Sequence, residues 1–299
     1  MSNKLDKSIQ GEKILAGQYW PDSTLYVVAT PIGNLGDFSS RSKNVLSNVD
    51  LIAAEDTRHS APLLKEFSIS TPVIACHDHN ESEATEKILQ VLSKGKCVAL
   101  ISDAGTPLIS DPGYKIVCNV RENGFRVSPI PGACAMVTAL SAAGMPTNRF
   151  SFEGFLPPKK SARESYLECV KNYTGSLIFY ESPHRILDSI VSMSEVLGEE
   201  RKAVLARELT KRYETFISGT LKTLLAKVAE DKDQRRGEIV IIVEGRQGDD
   251  VGTQEESADR ILSILLEECS VKQATSLAVK ITGLKKNYLY QRAMDLSKE

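Results

Sequence analysis

No apolar run in this 299-residue chain exceeds about seven residues, far short of the roughly 20 that a membrane-spanning helix needs. Cysteine is sparse and badly spaced for metal. The six residues, at 76, 97, 118, 134, 169 and 269, form no CxxC pair and no Cys/His pattern that suits zinc. Most lie inside apolar runs, as small core residues of a reducing compartment do. Charge of one sign is also missing: a net charge of −2 excludes a protein that grips nucleic acid over its whole surface. Neither a GxxxxGK[ST] loop nor a GxGxxG after the first strand is present, which argues against a phosphate-cradling nucleotide fold. The N-terminal stretch lacks the basic-then-apolar pattern of a secretion signal. The expected location is therefore cytoplasmic, with no membrane partner.

What is present is ordinary globular composition, 41% hydrophobic and 25% charged, in a chain long enough for two domains and an appendage. The first half alternates strand-like runs (25–29, 50–54, 72–75, 97–101, 126–130) with helical stretches near 39–48, 58–67, 80–94, 112–123 and 133–144. Such alternation predicts a mostly parallel sheet covered by helices. After the break at 144–148 the second half is richer in strands (150–152, 176–180, 203–208, 213–218, 238–243), with helices near 160–171, 184–197 and 220–230. The expected division is a polar tail over 1–22, α/β domains over 23–146 and 147–247, a linker over 248–256 and a helical appendage over 257–299.

The segment ISDAGTPLISDPG (101–113) follows the apolar run 98–101 and breaks into small residues and proline. That is a buried strand ending in a loop, and open α/β sheets bind ligands outside the carboxyl ends of their strands. LYVVATPIGNLGD (25–37) repeats the construction. Two such loops in one half of the chain suggest a cofactor cleft. Asp111–Pro112 reads as an N-cap followed by proline at the first helical position, and Ser182–Pro183 reads the same way. His77, Asp78 and His79 are either a capping turn or metal ligands, and no intrinsic metal site is proposed. Glu55, Asp56, Arg58 and His59 are poorly spaced as ligands and default to an internal salt bridge.

The last segment shows helical periodicity near 271–281 and 285–295, joined at Gly283, the outline of a helix-turn-helix. Between 270 and 298 six Lys or Arg face one acid. Lys285, Lys286 and Arg292 are either phosphate contacts for a nucleic acid or a solvated basic face. Lys159, Lys160 and Arg163 follow the GFLPP turn and are either an RNA clamp or a solvated charge run.

The segments VVATPIGNLGD, AEDTRH, ISDAGTPLISDPG, PIPGACAM, FEGFLP, FYESPHR, ARELTKRYE and GEIVIIVEG occur in this order. Together they resemble the tetrapyrrole-methylase superfamily over roughly residues 24–247, and more narrowly its bacterial branch that methylates ribosomal RNA of the small subunit on a ribose hydroxyl. The resemblance implies two α/β domains of the tetrapyrrole-methylase type with S-adenosylmethionine in the cleft between them, in a homodimer, plus the small C-terminal helix-turn-helix-like appendage. Carried over by position, the cofactor would meet Pro31; Asp103, Ala104, Gly105 and Thr106; Ala133, Cys134 and Ala135; and Tyr180, Ala206 and Gly237. Glu181, His184 and Arg207 are the candidates for catalytic work, although His184 also reads as an exposed first-turn residue. Arg58 and Arg185 join Lys159, Lys160, Lys285, Lys286 and Arg292 as candidate RNA contacts.

The implied reaction moves a methyl group to the 2′-hydroxyl of a cytidine in 16S ribosomal RNA, at the decoding centre, with the RNA or the 30S subunit as partner. The porphyrin-type members carry GDP where this chain has SDAG, and a fuller GxGPGD at the first loop. That difference counts against the alternative, a tetrapyrrole C-methyltransferase. A non-catalytic RNA-binding module that keeps the fold is the third reading.

Overall fold

Alternation within the short apolar runs of the first half sends successive side chains to opposite faces of one sheet. The structure, a computed structural model, describes residues 13–15, 18–77, 80–247 and 250–297. The chain divides into two compact units, residues 1–245 and residues 246–299.

In chain order the first unit contains β1 (Lys13–Leu15), β2 (Gln18–Trp20), β3 (Thr24–Val28), α1 (Ser40–Asn48), β4 (Leu51–Ala54), α2 (Thr57–Glu66), β5 (Val73–Ala75), α3 (Glu81–Leu92), β6 (Val98–Ile101), α4 (Tyr114–Glu122), β7 (Arg126–Ile130) and α5 (Ala135–Ala142). It continues with β8 (Phe150–Phe155), α6 (Lys160–Val170), β9 (Ser176–Glu181), α7 (Ile186–Leu197), β10 (Lys202–Arg207), β11 (Thr215–Thr220), α8 (Leu221–Glu230) and β12 (Ile239–Val243).

The first five-stranded sheet is parallel, in the order β5-β4-β6-β3-β7. Tyr26, Val28, Ile52, Ala54, Ala99 and Ile101 point into one core cluster. Leu25, Ala53, Val98 and Leu100 point into another on the opposite face. The second sheet runs β11-β10-β12-β9-β8, antiparallel except for the β8–β9 pair. The two unbroken apolar runs, VALI and IVIIV, become the central strands β6 and β12, buried at every position, as strands covered on both faces must be. Ile178, Val204, Ala206, Val240 and Ile242 of the second sheet share one cluster with Ile32 and with Ala139, Leu140 and Ala143 at the end of the first half. The two sheets are thus joined by a common apolar layer, and a cavity opens beside it.

Three local expectations differ from the structure. Residues 18–20 of the expected tail form β2, which pairs antiparallel with β1. Trp20 is buried and stacks on Tyr26 with ring centroids 4.8 Å apart; the apolar surface of one tryptophan outweighs the polar composition around it. Helix α4 starts at Tyr114, with Gly113 at φ 120° as its N-cap, so Asp111 caps nothing. Helix α7 starts at Ile186 rather than at Pro183, because Arg185 N–H donates to Ser182 O and closes a separate turn first.

The second unit holds α9 (Asp250–Glu268), α10 (Val271–Thr282) and α11 (Lys286–Leu296). Helix begins at Asp250, inside the expected linker. Ser270 and Gln273 form a capping box on α10, and Gly283 at φ 71° ends it in the left-handed conformation that glycine accepts without strain. Ala258, Leu262, Ala278, Leu289 and Ala293 form its small core.

Candidate active site

Every segment around the cavity lies at one end of a strand. Thr30, two residues beyond β3, exchanges backbone hydrogen bonds with Gly105, N to O at 2.8 Å and O to N at 3.1 Å. Its hydroxyl donates to Ser102 O at 3.3 Å. The Thr106 hydroxyl donates to Ala133 O at 2.9 Å. These bonds tie the loops after β3, β6 and β7 into one floor. Gly105 sits at φ 82°, and a Cβ there would stand 3.2 Å from Ile32 Cγ2.

Between Gly105 and Gly113 the chain takes left-handed conformations at two non-glycine residues, Leu108 (φ 73°) and Ser110 (φ 69°). Each costs on the order of 1–3 kcal/mol and survives only where the surroundings enforce it. The contortion brings Ile109, Ser110 and Asp111 into the cavity wall. The opposite wall comes from the second sheet: Tyr180, Glu181, Ser182 and Pro183 after β9, Leu209 after β10, and Gly237, Glu238, Ile239 and Val240 entering β12. The Tyr180 hydroxyl accepts from Met136 N–H at 3.0 Å and so holds the start of α5.

The cavity measures about 380 Å³, within the range for small-molecule sites. Glu55, Asp103, Asp111, Glu181 and Glu238 line it together with Ile32, Leu209 and Val240, and among the described residues no Lys, Arg or His does. A second hollow shares Glu55 and Asp103 with the first and adds Asp56, Thr57, Arg58, Ala75 and His77. The shared wall is held from both sides. Asp103 accepts from Asp56 N–H at 3.1 Å and pairs with His59 Nδ1 at 2.8 Å. Asp103 N–H donates to Glu55 Oε2 at 3.3 Å.

The hydrogen bond to Asp103, with the charges of Asp103 and Asp56, raises the His59 pKa above its usual value. The hydrogen bonds from the Arg58 side chain and backbone hold the Asp56 carboxyl well below the usual carboxylate range. Asp111 moves the other way: burial and the charges of Glu55 and Asp103 push it up to about 6, against a hydrogen bond from Ser102.

Eight of the eleven expected cofactor residues meet at this cavity: Asp103, Ala104, Gly105, Thr106, Cys134, Ala135, Tyr180 and Gly237. Pro31, Ala133 and Ala206 are outside its lining, and Ala206 is fully buried in the apolar layer. Ile32, Ile109, Leu209 and Val240 are not among the expected site residues, and Asp111 is expected only as a helix cap, although each neighbours a residue or motif expected at the site.

The candidate catalytic set does not assemble. Arg207 is buried, outside the lining, and donates to Arg236 O, Tyr213 O and Thr215 Oγ1, so it pins loop carbonyls. His184 is exposed and also outside the lining. Glu181 reaches the cavity but is already engaged. Its Oε1 accepts from Ser182 N–H at 2.7 Å and meets Arg185 Nη2 at 2.7 Å, and its Oε2 accepts from Ser189 Oγ at 2.5 Å.

The candidate RNA contacts divide as well. Arg185 is consumed by Glu181, Ser182 Oγ and Leu156 O. Arg163 is buried against Ser192 Oγ and Pro158 O. Arg292 is bound through two nitrogens to Asp259. Lys160 pairs with Glu164 and Glu195 at 3.3 and 3.2 Å. Arg58, Lys159, Lys285 and Lys286 remain exposed; Arg58 is paired with Asp56 at 2.7 Å. Asp78 and His79 of the HDH segment lie outside the described residues, and His77 N–H donates to Asn80 Oδ1 at 2.8 Å. All six cysteines are free; Cys134 borders the cavity and Cys169 on α6 is exposed.

Two α/β sheets joined by a shared apolar layer, with a cavity at the carboxyl ends of parallel strands, define the class. The chain belongs to the tetrapyrrole (corrin/porphyrin) methylase family, which it matches over residues 24–225, and residues 252–297 match the RsmI C-terminal HTH domain. It is similar to ribosomal RNA small subunit methyltransferase I of Pseudomonas aeruginosa, at 53% identity over 273 residues, covering 91% of this chain and 96% of that one. The protein of the same name from Escherichia coli O157:H7 is 51% identical over 271 residues, covering 91% and 94%. A solved structure of cobalt precorrin-4 methyltransferase, a cobalamin biosynthetic enzyme, shares the fold with a TM-score of 0.55 at 14% identity, covering 74% of this chain and 95% of that one.

Proposed function

We propose that this protein transfers a methyl group from S-adenosylmethionine to the 2′-hydroxyl of a cytidine in 16S ribosomal RNA of the small subunit, at the decoding centre. The observation that carries the RNA reading is the extent of the likeness. About half of the residues agree with the named ribosomal RNA methyltransferases across 91% of the chain, through the two-sheet unit and the C-terminal helices alike.

The cavity suits the cofactor by charge. A sulfonium bearing an ammonium group is cationic, and the carboxylates of Glu55, Asp103, Glu181 and Glu238, with no Lys, Arg or His among the described lining residues, complement it. The backbone of Ala104, Gly105 and Thr106 would hold polar edges, and Ile32, Leu209 and Val240 would cover an apolar ring. When bound, the cofactor supplies a methyl group already activated for displacement, so the protein's own tasks are alignment and exclusion of water. The same acidic wall repels phosphate, so the RNA backbone stays outside while a neutral ribose hydroxyl enters. Arg58, at the rim of the adjoining hollow, is placed to meet a phosphate there. In the helical unit, Lys285 and Lys286 stand exposed at the start of α11, where helix N-terminal N–H groups also favour anions.

The enzyme is taken to work in the cytoplasm as a homodimer; exposed Phe150 and Phe155 on the edge strand β8 are apolar surface that a second copy would cover. No helix among the described residues is long and apolar enough to cross a membrane.

The test is transfer from labelled S-adenosylmethionine to 30S subunits purified from cells lacking the enzyme. An alkali-stable dinucleotide at the labelled position supports ribose methylation. Label that is alkali-labile, or absent although cofactor binds, overturns the reading in favour of base methylation or a small-molecule substrate.

A further inference from the structure

We propose that Asp111 is the general base of the transfer, accepting the proton of the ribose hydroxyl as its oxygen takes the methyl group. The inference rests on the reaction proposed above and concerns the one task that the candidates Glu181, His184 and Arg207 leave undone. A ribose hydroxyl is a poor acid, and its attack needs a positioned acceptor for its proton.

Three observations single out Asp111. The backbone that carries it is held in left-handed conformations at Leu108 and Ser110, and such strain concentrates where geometry serves a function. Its side chain is released from the capping role that the Asp-Pro sequence suggests, since α4 starts at Tyr114, and it lines the cavity instead. Finally, the other acids there have assignments. Glu181 is bound by Arg185, Ser182 and Ser189, and Asp103 by His59 and Asp56 N–H. Glu238 is paired with Lys211 at 2.8 Å, and Glu55 accepts from Asp103 N–H.

The groups that face Asp111 are Ser102 on its own loop, Asp103 on the same loop, Glu55 at the end of β4 and Tyr180 on β9. Partial burial, with the like charges of Glu55 and Asp103, raises its pKa to about 6, where a carboxylate is still ionised at neutral pH yet basic enough to assist. The step balances. A lone pair of the hydroxyl oxygen forms the new bond to the methyl carbon, the electron pair of the breaking carbon–sulfur bond stays on sulfur, and the hydroxyl proton passes to a carboxylate oxygen of Asp111.

The experiment compares full-length wild type, Asp111→Asn and Asp111→Glu by single-turnover transfer to unmethylated 30S subunits, by calorimetric binding of S-adenosylmethionine, and by urea unfolding without ligand. The expected result for Asp111→Asn is a rate loss of about 100-fold or more at neutral pH. Cofactor affinity and the KM for 30S should stay within about threefold of wild type. Asp111→Glu should retain part of the rate. The wild-type rate should fall on the acid side near pH 6, a limb that the Asn variant lacks.

Urea unfolding reads the group without any turnover. A carboxyl with a raised native pKa contributes stability that is full below its unfolded pKa and lost as pH rises through about 6. The Asn variant, which mimics the neutral acid, should therefore outlast wild type in urea at neutral pH, with the gap closing toward about pH 4. A wild-type rate in Asp111→Asn, a parallel loss of cofactor affinity, or no pH-dependent gap in urea would each overturn the assignment. If wild type itself binds cofactor but labels no 30S, the RNA-methylation reading has failed; if wild type transfers and Asp111→Asn does too, only the role of Asp111 has.

Discussion

His59 Nδ1 lies 2.8 Å from Asp103 Oδ2, and this contact fixes the wall that separates the acidic cavity from the hollow bearing Arg58. Asp103 raises the pKa of His59. The native state therefore holds the imidazole proton more tightly than the unfolded chain does. The resulting stabilisation is full below about pH 6.5 and is lost as pH rises through the higher native value. The imidazole resonance of His59, followed by NMR, should titrate above its usual midpoint and return to it in Asp103→Asn. An unchanged midpoint in that variant would show that the pair does not form in solution.

Gly105 carries the cavity floor at φ 82° with Ile32 Cγ2 3.2 Å from the position of a Cβ. Gly105→Val should cost about 1–3 kcal/mol of stability through backbone strain alone. It should also weaken cofactor binding by more than about tenfold, equivalent to roughly 1.4 kcal/mol, in a protein that still folds. Calorimetry alongside thermal melting checks both. Normal binding by a folded Val variant would show that the cofactor does not approach this loop.

Arg185 neutralises the buried carboxylate of Glu181 at 2.7 Å. Arg185→Ala strands that charge and should destabilise the protein by about 3 kcal/mol, because a buried ion without its partner keeps the desolvation cost and loses the attraction. Urea unfolding measures the loss, and Glu181→Gln in the Ala background should recover part of it. An effect below about 1 kcal/mol would mean that water reaches Glu181 and screens it.

Lys285 and Lys286 are exposed at the start of α11. Replacing both with Ala should weaken binding to 30S subunits and lower the slope of log affinity against log salt by roughly one to two. Cofactor affinity should not change. An unaltered slope would leave these lysines as solvated surface.

The sheets were readable because a strand buried on both faces must be written as an unbroken apolar run, and VALI and IVIIV are such runs. The loop after VALI was legible as a cavity wall because small residues following a buried strand have few structural uses. Asp111 was misread for a physical reason. Asp-Pro before a helical run is an ordinary cap signal, and nothing local announces that Leu108 and Ser110 will be held left-handed. Arg292 shows another limit: its partner, Asp259, lies 33 residues away, and a count of charges along a segment does not reveal which are already paired. Arg207 and Arg185 illustrate the same blindness, since guanidinium groups already engaged by carbonyls or a carboxylate look in sequence like arginines awaiting a ligand. Trp20 shows the converse, one large ring converting a polar tail into an ordered strand.

Cys134 borders the cavity while Cys169 stands exposed on α6. A thiol-directed label should therefore find these two sulfurs with different fates. Whatever fills the cavity shields the first and leaves the second open as an internal standard. The ratio of modification at the two sulfurs gauges occupancy in the unaltered protein, so candidate ligands can be ranked by the protection they give before any methyl group has moved.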